Sequence, residues 1–98
     1  MEIEKTIDGK TAYLKIVGRL DTVSSPDLEK TLNELTAEEE EVILDFEKLD
    51  YISSAGLRVL LLAHKNFAKK SGLTVKNVCD AVMDVFKVTG FDDVLTIK

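Results

Sequence analysis

A pair of adjacent hydroxyl groups, Ser53 and Ser54, has the sequence setting best suited to chemistry in this chain. The pair follows an apolar segment and a polar loop, and it precedes a predicted helix that begins at Ala55. The first N–H groups of a helix are unpaired and carry partial positive charge, so a phosphate on such a hydroxyl is accepted without unfolding the helix. Capping of the helix by one of the serines is the purely structural alternative, because serine is common at that position.

The other nucleophilic side chains lack the partners that catalysis needs. His64, the single histidine, lies on the same predicted helix about three turns beyond Ser54. Cys79, the single cysteine, has no second cysteine or histidine near it in the sequence, so packing of a small side chain is the favoured interpretation. The run Glu38 to Glu41 is predicted to be a solvated acidic loop. We therefore expect no enzyme activity, no metal site and no cofactor.

The size and charge of the chain exclude several classes of protein. Its 98 residues fit one domain, 1–98. The net charge of −5, from 13 Lys and Arg against 18 Asp and Glu, disfavours nucleic-acid binding through phosphate neutralisation. No apolar segment reaches the roughly 18 residues of a membrane span, and no signal peptide is recognisable. We expect a cytoplasmic protein that binds neither nucleic acid nor membrane.

Apolar runs predict five short strands, at residues 2–7, 11–17, 42–46, 73–78 and 94–97. Asp8-Gly9 is a turn signal that joins the first two strands into a hairpin. The run 42–46 is continuous and rich in β-branched residues, which predicts a strand buried on both faces, as in a parallel sheet. Residues 47–52 are interpreted as a turn that leads to the serine pair.

Three helices alternate with these strands. They are predicted from the N-cap Ser25 with Pro26 behind it, from Ala55 to Lys70 before Gly72, and from the cap Asp80 to Gly90. Helical spacing assigns these residues to their inner faces: Leu28, Leu32, Leu35, Leu57, Leu60, Leu61, His64, Phe67, Ala68, Val82, Val85, Phe86 and Thr89. The order β-β-α-β-α-β-α-β implies an α/β domain with right-handed parallel crossovers and with helices mainly on one face.

Two motifs of this chain, with the order of its elements, resemble the STAS domain of bacterial anti-sigma factor antagonists. The most specific likeness lies in Ile52-Ser53-Ser54-Ala55-Gly56-Leu57 combined with Gly18-x-Leu20-Asp21 upstream. Residues 46–62 and Val88-Thr89-Gly90-Phe91 extend the likeness, which covers residues 3–98. The resemblance implies a single domain with a mixed, mostly parallel sheet of about five strands in a β-α superhelix.

The resemblance also implies a partner switch. In such systems the unphosphorylated antagonist binds an anti-sigma factor, itself an ATP-dependent serine kinase, and thereby frees a sigma factor. The kinase phosphorylates one serine of the antagonist, which then dissociates, and a metal-dependent serine phosphatase restores it. The acceptor of the family lies two positions before the glycine, which here is Ser54. Ser53 stands where the family often has aspartate, and it is the alternative acceptor.

The implied partner-binding surface surrounds that acceptor. It comprises Asp21, Thr22, Ser53, Ser54, Ala55, Gly56 and Arg58. Asp21 matches the acidic residue that the family places near the acceptor, although capping of a loop is an alternative role for it. Gly56 is interpreted as allowing close approach of the backbone. We expect a monomer or a weak dimer.

Other functions are less favoured by the residues. A STAS domain that is a scaffold or sensor and is never phosphorylated is the main alternative. An aspartyl-phosphate receiver with Asp45 as acceptor would need an acidic cluster and a late lysine, and that pattern is missing. A small hydrolase would need a general base beside its nucleophile, and the chain offers none in the sequence.

Overall fold

The predicted hairpin forms the first edge of the sheet. The computed structural model describes residues 1–35 and 39–98. In it β1 (Glu2–Asp8) pairs antiparallel with β2 (Thr11–Leu20). The second strand is longer than predicted, because the chain stays extended through Gly18 and on to Leu20. Gly18 has a φ of +105°, a backbone conformation that glycine adopts far more readily than other residues.

The centre of the sheet is parallel, as predicted. The first half of β2 pairs with β3 (Glu41–Asp45), which pairs in turn with β5 (Gly72–Lys76). A short outer strand, β6 (Thr96–Ile97), follows a 3-10 turn at Phe91–Asp93 and pairs with β5. It is two residues shorter than the predicted strand 94–97. Glu41 therefore belongs to a strand and not to the predicted acidic loop, of which Glu38 lies outside the described residues.

The expectation that residues 42–46 are buried on both faces is wrong. Val42 and Leu44 are fully buried, whereas Ile43 and Asp45 between them are only partly covered. Within the described residues the same alternation runs along β2, whose inward residues Ala12, Leu14 and Ile16 have no exposed surface. The helices thus cover one face of the sheet, as predicted, and they leave the other face open.

The segment 47–52, interpreted from the sequence as a turn, contains a further strand, β4 (Leu49–Ile52). It pairs parallel with the second half of β2, with Arg19 opposite Tyr51 and Leu20 opposite Ile52, after a register shift between Gly18 and Arg19. Only the two end residues of this four-residue strand are buried. Its sequence therefore shows no alternation of apolar and polar residues that would predict a strand. The described part of the sheet consequently has six strands, and β2 pairs with β3 and β4 one after the other.

The three predicted helices are present, with corrected ends. They are α1 (Ser25–Asn33), α2 (Ser54–Phe67) and α3 (Asp80–Thr89). The N-cap of α1 is Ser24 and not Ser25, and the N-cap of α3 is Cys79 and not Asp80. The first shift has a clear cause, because the Ser25 hydroxyl donates to the Asp21 carbonyl oxygen and so already lies in the first turn. None of the helices in the described ranges is long and apolar enough to cross a membrane.

The buried faces of α2 and α3 differ in part from the prediction. Val59 and Ala63 are buried although they were not assigned inward, because α1 packs against this side of α2. Ala68 and Thr89 are exposed, since Ala68 follows the last residue of α2 and Thr89 ends α3. The residues Leu35, Leu61, His64 and Val85 are only partly covered. The other predicted inner residues are buried: Leu28, Leu32, Leu57, Leu60, Phe67, Val82 and Phe86.

Asp45 ties together two chain segments at the carboxyl ends of β3 and β5. Its Oδ1 accepts the backbone N–H of Glu47 at 3.0 Å and the side-chain amide of Asn77 at 3.1 Å. Partial burial acts to raise the pKa of Asp45, but these two bonds and the nearby charges of Lys76 and Lys15 outweigh it and hold the pKa below its ordinary value. The ionised carboxylate therefore stabilises the turn that leads into β4.

The bonds at Asp45 predict a defined dependence of stability on pH. Since the pKa of this group is lower in the folded chain, its contribution is complete above the unfolded pKa of about 3.9 and is lost as the pH falls through the folded value. The variant Asp45→Asn keeps an oxygen acceptor but loses the charge. We expect it to be less stable than wild type at pH 7, with the difference shrinking at pH 3. Urea unfolding of both proteins at the two pH values checks this, and a difference that is independent of pH would contradict it.

Candidate functional site

The predicted acceptor region lies at one edge of the sheet, where β2 and β4 end side by side. Leu20 is opposite Ile52 in the parallel register, and the Ser53 N–H donates to the Leu20 carbonyl oxygen at 2.9 Å. The residues that follow these two strands, Asp21 and Ser53, therefore leave the sheet at the same edge. The strand that brings them together is β4, the one that the sequence pattern did not predict.

Gly56 lets the first turn of α2 lie directly on the ends of these two strands. A Cβ atom at this position would be 2.8 Å from Cγ of Leu20, 2.9 Å from Cγ1 of Ile52 and 3.0 Å from the Leu20 carbonyl oxygen. These separations are shorter than van der Waals contact, so a side chain at position 56 would displace the strand ends. Gly56 is itself buried, and it contributes to the site by setting this close approach rather than by contact at the surface.

Ser53 is the N-cap of α2. Its backbone is extended, with φ −100° and ψ 175°, and its carbonyl oxygen accepts the first helical bond from the Leu57 N–H at 3.0 Å. Its side-chain oxygen accepts a long bond of 3.4 Å from the Gly56 N–H, and the residue is half-buried. The capping role considered from the sequence is thus filled by Ser53.

Ser54 is the first residue of α2, and it is exposed. Within residues 1–35 and 39–98 its hydroxyl makes no hydrogen bond, so nothing holds it away from solvent. The first turn of α2 carries no acidic side chain. Because the N-terminus of a helix favours negative charge, this hydroxyl is well placed to carry an anionic group.

Asp21 holds the turn between β2 and α1. Its Oδ1 accepts the backbone N–H groups of Val23 and Ser24, each at 3.0 Å, and its own N–H donates to Oγ of Ser24 at 2.9 Å. The Ser24 N–H is the largest cause that lowers the pKa of Asp21, and the Arg19 guanidinium, 4.0 Å from Oδ2, acts in the same direction. The carboxylate is therefore ionised, with its Oδ1 bonded within the turn and its Oδ2 beside the Arg19 guanidinium.

A shallow groove of about 190 Å³ runs between the starts of α1 and α2. Three residues of the predicted partner surface line it, namely Thr22, Ala55 and Arg58. The other lining residues, which the sequence reasoning did not select, are Ser25, Pro26, Glu29 and Val59. Arg58 is exposed and makes no ion pair with any described residue.

Two further features of this edge were missed at the level of sequence. Val23 follows Asp21 and Thr22 in the turn, and its side chain is 87% exposed. An apolar residue within the polar run Asp-Thr-Val-Ser was the available signal for it. The guanidinium of Arg19 stacks 4.2 Å from the ring centre of Tyr51, a contact that depends on the register of β4 and has no sequence signal.

The groups weighed earlier for catalysis do not form a centre in the described ranges. No cluster of three or more His, Cys, Asp or Glu side chains among those residues is arranged to hold a metal ion. The Cys79 thiol lies 3.4 Å from the Leu49 carbonyl oxygen and is partly covered. His64 has a buried Nδ1 atom that finds no hydrogen-bond partner among the described residues. What the edge offers is a free hydroxyl, a carboxylate, a guanidinium and apolar contacts, which together suit recognition by another protein.

Comparison with known proteins agrees with the fold. The sequence model described as the STAS domain matches residues 2–98. Over 74 residues the chain is 42% identical to the putative anti-sigma factor antagonist BtrV of Bordetella bronchiseptica, a match that spans 70% of this chain and 64% of that protein.

Solved structures share the fold over nearly the whole chain. A crystal structure of an anti-sigma factor antagonist from Mycobacterium paratuberculosis superposes with a TM-score of 0.87 at 20% identity, covering 98% of this chain and 83% of that one. The Bacillus cell fate determinant SpoIIAA in its phosphorylated form superposes with a TM-score of 0.76 at 16% identity, covering 99% of this chain and 91% of that one. At these identities the superpositions show the fold.

Replacement of Gly56 by alanine tests the close approach on which the site depends. We expect Gly56→Ala to lower the free energy of unfolding by about 1–3 kcal/mol, as overpacking does, even though alanine favours helix by about 1 kcal/mol. Lys65→Ala, at an exposed position of the same helix, should change it by less than about 0.5 kcal/mol. Denaturant unfolding measures both. A Gly56→Ala protein as stable as wild type would show that α2 has room to move away from the strand ends.

Proposed function

The chain belongs to the STAS domain family, and from this membership we propose that it is an anti-sigma factor antagonist. In this proposal its unphosphorylated form binds an anti-sigma factor, which then releases its sigma factor. The proposal is supported by the family match over residues 2–98 and by the Bordetella relative, itself named a putative anti-sigma factor antagonist. The chain acts in the cytoplasm as a binding module and not as an enzyme.

The observation that carries the proposal is the exposed, unbonded hydroxyl of Ser54 at the start of α2. We infer that the anti-sigma factor is also a serine kinase, that it phosphorylates Ser54, and that a serine phosphatase reverses this. Ser53 is the weaker acceptor, because it is half-buried and its side-chain oxygen is turned toward the Gly56 N–H. The fold neighbour SpoIIAA has been solved in a phosphorylated form, which supports a switch of this kind.

The physical effect of the phosphate falls on the complex and not on the fold. A phosphate adds about −1.5 to −2 charges at neutral pH, and at the N-terminus of a helix negative charge is stabilising by roughly 0.3–1 kcal/mol. The folded domain therefore tolerates the modification. At the contact with a kinase the acceptor faces the phosphates of ATP, so the new charge meets like charge, which costs several kcal/mol in an interface.

Arg58 gives the phosphate a second way to weaken the complex. It lies one turn beyond Ser54 on α2, at the i+4 spacing that places two side chains on the same helix face. Arginine is a strong partner of phosphate groups. In the phosphorylated chain Arg58 would pair with the phosphate and would be withdrawn from the partner-binding groove that it lines.

Phosphate transfer to Ser54 is the direct test. The purified chain is incubated with Mg-ATP and a candidate anti-sigma factor kinase from the same organism, and the products are analysed by intact mass and peptide mapping. We expect one phosphate, on Ser54. Ser54→Ala should bind the same kinase and never be released by ATP, while Ser53→Ala should still be modified. Phosphate found only on Ser53 would overturn the assignment, and binding without any phosphate transfer would favour a scaffold or sensor module.

The variant Ser54→Asp separates charge from folding within the same experiment. We expect it to bind the kinase at least tenfold more weakly than wild type, a loss of about 1.4 kcal/mol or more. Its melting temperature should equal or exceed that of wild type, because the aspartate supplies negative charge to a helix start that has none. Calorimetric titration and a thermal melt measure the two effects. Normal binding would show that charge repulsion is not the switch.

A pair of substitutions at Asp21 separates partner contact from loop capping. Asp21→Asn retains an oxygen that accepts the N–H groups of Val23 and Ser24, but it removes the charge, whereas Asp21→Ala removes both. We expect both variants to bind the kinase about tenfold more weakly, since charge-assisted hydrogen bonds are the strong ones. Asp21→Ala should melt at a lower temperature than Asp21→Asn, which loses the stabilising charge but keeps the hydrogen-bond acceptor. If Asp21→Asn binds as wild type does, Asp21 serves the turn alone.

A further inference from the structure

The face of the sheet opposite the helices carries a row of alternating charges. The strand registers place Glu4 opposite Lys15, Lys15 opposite Asp45, and Asp45 opposite Lys76. Because residues directly opposite one another in a sheet point to the same face, these four side chains form one row across β1, β2, β3 and β5. The signs along the row run negative, positive, negative, positive.

A second row lies beside the charged one on the same face. The registers align Thr6 with Tyr13, Tyr13 with Ile43, and Ile43 with Thr74. Tyr13 is 38% exposed and Ile43 is half-buried, so the centre of this row is apolar while its two ends are threonine. Residues of both rows line a shallow depression of about 160 Å³ on this face.

The charges of the first row are not neutralised by ion pairs within the described chain. Within residues 1–35 and 39–98, no ion pair or side-chain hydrogen bond is made by Glu4, Lys15 or Lys76. Asp45 uses its Oδ1 for the Glu47 and Asn77 bonds described above, and its Oδ2 makes no bond among these residues. All four groups are thus available to charges presented from outside.

We propose that this face is self-complementary and docks a second copy of this chain, with a two-fold axis parallel to the strands. A rotation about that axis reverses the order of each row. Glu4 then faces Lys76 of the second copy, and Lys15 faces Asp45 of the second copy. A two-fold axis perpendicular to the strands would instead place each charged residue opposite the same residue of the second copy, where the charges repel. The alternation of charges therefore favours the axis parallel to the strands.

The apolar row obeys the same symmetry. Its midpoint, like that of the charged row, lies between β2 and β3, so the same rotation brings Tyr13 over Ile43 of the second copy and Thr6 over Thr74. Sheets that stack face to face lie about 10 Å apart, with their strands about 30° from parallel. An aromatic and a β-branched side chain fill that space, and the ion pairs lie on one side of them.

The small size of the face indicates a weak association. Four strands about 4.8 Å apart, with four or five residues each at about 3.3 Å, cover roughly 300 Å² per copy. A stable interface usually buries about 800 Å² per partner, so the dimer is weak and forms at high micromolar concentration. The axis leaves both Ser54 edges at the same end, so a dimer would present two copies of the partner surface together, a consequence that rests on the proposed function.

Sedimentation velocity from about 10 μM to about 1 mM tests the dimer without any kinase or sigma factor. Wild type should pass from monomer toward dimer over this range, and Tyr13→Ser should remain monomeric. Tyr51→Ser is the matched control, because Tyr51 is 40% exposed but lies outside the two rows, and it should associate as wild type does. Wild type that is monomeric at 1 mM, or equal behaviour of the two tyrosine variants, would overturn the proposal.

A charge exchange tests the orientation. Glu4→Lys and Lys76→Glu should each weaken self-association about fivefold or more, because each places like charges opposite one another twice in the dimer. An equimolar mixture of the two variants should associate at least as well as wild type, since both contacts then join opposite charges. Restored association in the mixture would also show that both variants are correctly folded. A mixture that associates no better than either variant alone would exclude the proposed axis.

Discussion

The site depends on the contact between the first turn of α2 and the last residues of β2 and β4. With no side chain at Gly56, the backbone of the helix approaches Leu20 and Ile52 at distances that a Cβ atom would not tolerate. The same contact directs the helix N-terminus to the sheet edge, where Ser53 caps the helix and leaves Ser54 at the surface. A bulkier residue at position 56 would move Ser54 relative to Asp21, even though neither of those residues had changed.

The long second strand makes this arrangement possible. It pairs first with β3 and then, after the register shift at Gly18, with β4, so a single strand joins the core of the sheet to the functional edge. Asp45 acts where β3 gives way to β4, because its carboxylate bonds both the following turn and Asn77 beside it.

The two surfaces of the domain differ in their electrostatics. At the sheet edge one carboxylate is bonded within its turn, and the adjacent helix start has no acid, which leaves room for one added negative charge. On the open face of the sheet, the charges of Glu4, Lys15, Asp45 and Lys76 alternate along one row and sum to zero. The sheet edge is therefore sensitive to an added charge. The charged row on the open face instead favours contact with the same row of a second copy in reversed order. A phosphate at the edge would therefore act on a different partner from the one that the open face suits.

The sequence by itself determined the elements with strong local signals. These are the hairpin around Asp8-Gly9, the central parallel strands, the three helices and the helix stop at Gly90. The serine pair and Gly56 were also recognisable, because their residue types and spacing are local.

Only the tertiary structure decided the rest. The strand β4 has too few buried residues to show a period, and the cap of α1 moved to Ser24 because Asp21 organises that turn from outside the helix. Burial on one face of the sheet, the position of Val59 against α1 and the stacking of Arg19 on Tyr51 depend on which elements meet. The local spacing of residues cannot predict such contacts, because each contact joins residues that are distant in the chain.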